Sequence, residues 1–311
     1  MKERTYHPEG GLIGSAENNA YLSSVRMLER AMNEEVILEG TASACVGPEL
    51  DLVVDLGGIR GVIPRREAAL DTGGGAKDIA IITRVARPVA FTVTDIKNEG
   101  GEVTAYLSRR RAQYLCREEY ISTLSPGDIV DAAVTHLDPF GAFVDIGCGI
   151  ISLLGVDCIS VSRISHPSER LKKGQTIKTV IKSIDESGRI YVTLRELLGT
   201  WEENAAAFEA GSTVAGIVRS VEDYGIFVEL APNLAGLAER HGGASPGDAC
   251  AVYIKNIIKE KMKVKLSIID SYAGPGEPAP FKYFVDTSKV SHISRWRYSP
   301  LICPKTIETI F

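Results

Sequence analysis

The chain has no cysteine pair at CxxC spacing, no apolar run of membrane-spanning length and no excess of positive charge. Each absence removes a class of protein. The six cysteines (Cys45, Cys116, Cys148, Cys158, Cys250, Cys303) are scattered, which argues against a zinc site and reads as reduced thiols. The opening MKERTYHPEGG lacks the apolar core of a signal peptide, so a cytoplasmic protein with no membrane partner is expected. Five histidines, His7, His136, His166, His241 and His292, are dispersed without ligand spacing, so no metal is expected. Neither HExxH nor GxSxG occurs. TGGGAKD, at residues 72–78, lacks the Gly-Lys-Ser/Thr ending of a phosphate loop and reads as a flexible loop. No carboxylate pair stands out for acid–base work, so neither an enzyme nor a cofactor is expected. The net charge of −5 excludes nucleic-acid binding by bulk cationic attraction but leaves open a local basic groove.

What is present is short, glycine-punctuated β pattern. A length of 311 residues suits two or three domains, and 30 glycines cluster between short apolar runs, as turn-rich β structure requires. Residues 16–34 carry a helical stripe, Tyr21, Val25, Leu28 and Met32, with Ser15 as the N-cap and Glu17 in the first turn. Three stretches then repeat one order of runs. The clearest reads GDIVDAAVTHLD, PFGAFVDIGCG, LKKGQTIKTVIKSID, GRIYVTLREL from Gly127. The next reads GSTVAGIVRSVED, YGIFVELAPNLAGLAE, SPGDACAVYIKNI, KMKVKLSII, and a fainter copy, with LDLVVDLGGIRGVIP and EVTAYLSRR, precedes both. An internal repeat of four or five short strands points to small closed barrels of the OB kind. Helical pieces separate them: RRRAQYLCREEYISTL, then the stripe Leu197, Trp201, Ala205, Phe208.

The expected architecture is therefore mainly β: tandem five-stranded OB-fold barrels joined by short helices. Its expected parts are a helical cap over 1–34, a degenerate barrel over 35–113, the best-preserved barrel over 124–199, a linker helix with a third barrel over 200–270, and an arm or hairpin over 271–311.

On GDIV, PFGAFVDIG, ERLKKGQTIKTVIKSID and ESGRIYVTLRE, the segment Gly127–Leu197 resembles the S1 RNA-binding domain of ribosomal protein S1 and polynucleotide phosphorylase. The third stretch is similar through DYGIFVEL and VKLS, and the joint TWEENAAAFEAGSTVAG resembles the Trp-containing linker of that family. The whole arrangement is similar to the short S1-like proteins of Gram-positive bacteria. The resemblance implies S1-type barrels that bind single-stranded RNA or mRNA, with the small ribosomal subunit as a further partner.

An RNA-binding barrel needs exposed aromatic faces, because every base offers a π-face. Phe140 and Phe143 stand three apart, which on a regular strand means opposite faces. The Pro-Phe-Gly turn is expected to bring both to one side, the alternative being Phe143 as core. By resemblance, Asp185 and Arg189 lie beside that pair, with Arg189 on phosphate or base; the alternative is a turn salt bridge. Tyr224 and Phe227 match the aromatic positions in the third stretch, while Lys259 and Lys263 take the places of Asp185 and Arg189. With Lys255, Lys261 and Lys265 they make this end basic, part of it suited to tracking phosphate. Family members often carry a histidine in a third strand reading GLVHIS, where this chain has Gly155, Glu239 and Pro64. Weak single units working together are the expected consequence. The first stretch has Leu50 and Val53 at the aromatic positions and keeps Arg60, Arg65 and Arg66, which suits docking on protein. In the tail, Phe281, Tyr283, Phe284, Arg295, Trp296, Arg297 and Tyr298 suit either RNA or a strand pair packed on the third barrel. The rival to RNA binding is an interaction scaffold that docks on ribosomal or RNA-decay proteins.

Overall fold

The computed structural model describes residues 5–70, 78–240, 242–275 and 281–311. TGGGAKD, save its last residue, and His241 lie outside these. The chain forms two compact units, one of Met1–Leu124, Asp131–Ala133 and Asp145–Ile151, the other of Ser125–Val130, Val134–Val144 and Ser152–Phe311.

In the first unit the helical stripe is two helices, α1 (Ala16–Leu22) and α2 (Val25–Asn33), and not one. Ser15 caps α1, as its position predicted, by accepting from the Asn18 N–H. Ser24 ends the continuity: its backbone is extended and its hydroxyl accepts from the Met27 N–H, so it caps a second helix instead of continuing the first. Leu28 and Ala31 of α2 face the core of a barrel. That barrel closes from β1 (Leu38–Val46), β2 (Asp51–Asp55), β3 (Arg60–Ile63), β4 (Pro88–Glu99) and β5 (Glu102–Ser108), in the order β1-β2-β3-β5-β4. A short helix α3 (Asp78–Ile82) precedes β4, and α4 (Arg109–Glu119) follows β5. The N-terminal segment is tied down by buried charge. Glu39 of β1 accepts the N–H groups of Gly10 (3.0 Å) and Leu12 (2.9 Å), and Glu9 pairs with Arg109 (2.5 Å) and Arg84 (3.1 Å).

The second barrel has the same cyclic order from β6 (Ile129–Asp138), β7 (Gly141–Asp145), β8 (Ile151–Gly155), β9 (Thr176–Ile184) and β10 (Ile190–Thr193). The third repeats it with β11 (Thr213–Glu222), β12 (Gly225–Ala231), β13 (Leu234–Ala238), β14 (Asp248–Ile258) and β15 (Lys263–Pro275). In each barrel the third and fifth strands pair in parallel and close the cylinder, which removes free sheet edges. Alternation does the sorting: along β14, Cys250, Val252 and Ile254 point inward while Tyr253 and Lys255 face solvent.

The linker stripe is also broken. A 3-10 turn (Arg195–Leu198) and α5 (Trp201–Ala205) are separated at Gly199, and Trp201 and Phe208 pack on the third core. The third barrel runs past residue 270, because β15 pairs with β14 as far as Pro275. The tail is no free arm. Its strands β16 (Arg295–Arg297) and β17 (Glu308–Ile310) form a small sheet, and Trp296 and Tyr298 are buried in the third core. Upstream, Ile293 N–H donates to the Gly127 carbonyl and Ile129 N–H to the Ser291 carbonyl, both at 2.8 Å. The tail aromatics Trp296 and Tyr298 are therefore core residues, and the packed-strand alternative holds for them.

A four-member ion ladder joins the second and third barrels. Arg170 binds Glu229, Glu229 binds Arg219 (2.6 Å), and Arg219 binds Glu169. Arg170 and Glu229 are shut off from solvent at 0% and 3% side-chain exposure, and burial pulls the Arg170 guanidinium below its usual range.

Candidate nucleic-acid interface

The candidate site of the second barrel starts at the entry to β7. Phe140 is in the turn and 57% exposed, and Phe143, partly buried, points outward from the strand. Gly141 makes this possible. A Cβ there would lie 2.5 Å from the Leu154 carbonyl oxygen and 3.1 Å from the Gly155 Cα, so only glycine lets the turn press against β8. The chain bends sharply, and the odd spacing no longer separates the rings. Their centroids are 5.9 Å apart and their planes stand at 89°, an edge-to-face pair.

The third barrel repeats this. Tyr224 is exposed, Tyr224 and Phe227 are 6.1 Å apart at 88°, and a Cβ on Gly225 would lie 2.5 Å from the Ala238 carbonyl oxygen. In the first barrel Asp51 stands in the glycine's place, Val53 pairs across from Val62, and Leu50, partly buried, packs against the core. That face is aliphatic.

Asp185 and Arg189 flank the β9–β10 turn but are not an ion pair. The Asp185 carboxylate accepts from the Ser187 hydroxyl (2.6 Å) and from the Ser187 and Arg189 N–H groups (2.9 and 3.0 Å). Those bonds, the Ser187 hydroxyl first, hold it below the ordinary carboxylate range. Asp185 shapes the turn and leaves the Arg189 guanidinium exposed with no hydrogen-bond partner among the described residues. In the third barrel, register corrects one expectation. Ile184 pairs with Ile190, and Ile257 with Val264, which sets Arg189 against Lys263 but Asp185 against Ile258. Lys259 lies in a turn longer by one residue, with Nζ 4.0 Å from Glu202. Lys255 is paired with Glu239 at 2.8 Å; Lys261, Lys263 and Lys265 are exposed.

Residues 123–195 match the S1 RNA binding domain family. Small ribosomal subunit protein bS1 of Staphylococcus aureus is 30% identical over 279 residues, which covers 81% of this chain and 68% of that protein. The chain belongs to the bS1 family. The bS1 protein of Leuconostoc lactis is 34% identical over 197 residues, covering 60% of this chain and 43% of its own length. A solved multidomain protein with nucleic acid binding domains from Streptococcus pneumoniae is 15% identical and covers 75% of this chain and 73% of its own, with a TM-score of 0.25. Within the bS1 family frame, the barrels of this chain differ in how many rings they expose.

Two residues beside the site were not singled out by sequence. His136 on β6 lies next to Phe143, with ring centroids 6.2 Å apart and planes 29° from parallel. Tyr191 on β10 pairs with Leu153 of β8, and its hydroxyl reaches Asp185 at 3.4 Å. His136 looked like one of five dispersed histidines because only the strand pairing brings it to Phe143. No group of three or more His, Cys, Asp or Glu residues among those described is arranged to hold a metal.

Proposed function

We propose that this chain binds single-stranded RNA, mRNA in particular, beside the small ribosomal subunit in the cytoplasm, and that it acts by binding and not by catalysis. One observation carries the reading: a solvent-facing edge-to-face ring pair, next to a glycine at which a Cβ would lie 2.5 Å from a facing carbonyl oxygen, recurs with the same geometry in two barrels. Paired rings at such a bend offer faces to bases, and each stacked base contributes ~1–3 kcal/mol. Arg189 and Lys263, equivalent by strand register at the start of the fifth strand of their barrels, supply phosphate contacts. Phe140, Phe143 and Arg189 form the main contact, with Tyr224, Phe227 and Lys263 assisting. The matching of the S1 RNA binding domain to the second barrel, and bS1 relatives over most of the chain, support the assignment.

The test is anisotropy of a labelled unstructured RNA across a salt series. Affinity falls steeply with salt, and Arg189→Gln or Lys263→Gln each flattens the log–log slope by about 0.7, the value for one lost single-strand phosphate contact. No RNA binding at low salt would end the proposal.

The first barrel supports a second reading for itself alone. Ala44, Val53 and Val62 form an aliphatic row, with Val53 at the position where the other barrels carry Phe143 and Phe227, which suits a protein contact. Val53→Lys with Val62→Lys weakens cosedimentation with ribosomes stripped of mRNA; unchanged cosedimentation would remove this role.

A further inference from the structure

The three barrels can be superposed strand by strand through a shared irregularity. In the first barrel Ser43 is a bulge, with register shifting between Ala42 and Ala44 and its hydroxyl donating to the Val53 carbonyl at 3.2 Å. In the second, the Thr135 hydroxyl donates to the Phe143 carbonyl at 3.0 Å, the same bond one barrel later. In the third, register shifts between Val218 and Ser220, and Ser220 pairs with Phe227. The residue after the bulge, which lies beside the main aromatic position, is thus Ala44, His136 or Ser220. Only the second barrel has a ring there.

We infer that His136 is an additional base-stacking position, which extends the RNA site of the second barrel across β6. This rests on the RNA-binding reading above and adds to it a residue and a direction. The His136 side chain is 63% exposed, so its outer face is open to a base, and its inner face lies along Phe143. The Asp138 carboxylate, 3.1 Å from Nε2, favours this orientation by holding the edge of the ring. A ring held this way loses little freedom on binding, which favours affinity. On the β8 side, the position where family members carry histidine is Gly155, and the next ring is Tyr191 of β10, which pairs with Leu153. The rings in contact are therefore Phe140, Phe143 and His136, a set that extends from β7 onto β6. An RNA strand that stacks on it continues over β6. Asp138 is a positioning residue in this arrangement.

The experiment is anisotropy of a length series of fluorescein-labelled oligouridylates against the full chain and its variants. His136→Ala is expected to weaken binding about ten-fold, the size of one base stack, and to remove the last step by which affinity rises with length. His136→Phe retains the parent affinity because it keeps a ring, whereas His136→Lys, which has none, does not. Asp138→Asn, which can still hold the imidazole, is expected to bind as the parent does, and Asp138→Ala less well. Parent-like binding by His136→Ala, or rescue by lysine and not by phenylalanine, would overturn the inference while leaving RNA binding intact. Undiminished binding by Phe140→Ala/Phe143→Ala would instead overturn the reading on which it rests. His136 is on the surface, so the tryptophan fluorescence of all variants should show the parent's unfolding.

Discussion

Replacing Glu229 by glutamine should be among the most destabilising surface-neutral changes available in the second unit. Among the described residues Glu229 is the only carboxylate that touches both Arg170 and Arg219, and all three side chains are buried. Arg170 already has Nε and Nη1 without partners among the described residues, so it depends on that carboxylate. Glutamine keeps the volume and one acceptor but leaves two desolvated guanidinium groups facing an amide. Breaking a buried pair from one side costs about 3–5 kcal/mol. For a unit of this size, that lowers the melting temperature by roughly 6–20 °C. The assay is built in: the chain has two tryptophans, and both Trp201 and Trp296 lie in the third core. Urea unfolding followed by tryptophan fluorescence therefore reports on this unit. Replacing the set with apolar residues, Arg170→Met, Arg219→Leu and Glu229→Leu together, should restore much of the loss, since no buried charge is then left unpaired. A Glu229→Gln loss below about 1 kcal/mol, the scale of an exposed pair, would refute the reasoning.

Other consequences follow from single contacts. Gly141→Ala puts a methyl 2.5 Å from the Leu154 carbonyl oxygen, so a loss of about 1–3 kcal/mol is expected together with weaker RNA binding; parent-like values in both would show that the bend is not held by that approach. Trp296→Ala should cost about 3–5 kcal/mol as a core truncation, and resistance to this change in denaturant would mean that the tail is not part of the third core. Burial pushes the Glu39 carboxyl up to about 7, against the N–H groups of Leu12 and Gly10 that favour its charge. A raised folded-state value means stability present at acid pH and lost as pH rises through 7. Thermal unfolding should accordingly move down between about pH 5 and 8, and Glu39→Gln should reduce that slope; equal slopes in parent and variant would contradict it.

Much of the fold was legible because closed barrels write themselves into sequence as alternation bounded by glycine and proline. The ring pairs were legible for a similar reason: PFGAF and YGIF carry both the rings and the glycine that brings them together. What failed to show depends on pairing between distant segments. His136 meets Phe143 only through strand register, and Lys259 was misassigned because one extra residue in a turn is invisible without that register. The Asp185 carboxylate is consumed by its own turn, a local bond that competes with the pairing suggested by its charge. The stripe over 16–34 ran through Ser24, where a side-chain cap outweighs the period of the apolar residues. Arg170 and Glu229 stand 59 positions apart, and nothing in either neighbourhood marks them as partners. Trp296 and Tyr298 sit among arginines, and their composition alone suited an RNA-binding arm as well as a core.

The central claim, that the exposed rings of the second barrel hold RNA, is tested most directly by anisotropy of a labelled unstructured RNA with the parent and with Phe140→Ala/Phe143→Ala. Both proteins are checked for the same tryptophan-monitored unfolding. The account predicts that the folded double variant loses binding by about 100-fold, two stacked bases at about ten-fold each. Binding equal to the parent's would contradict it and would leave these rings as surface or core residues without an RNA role.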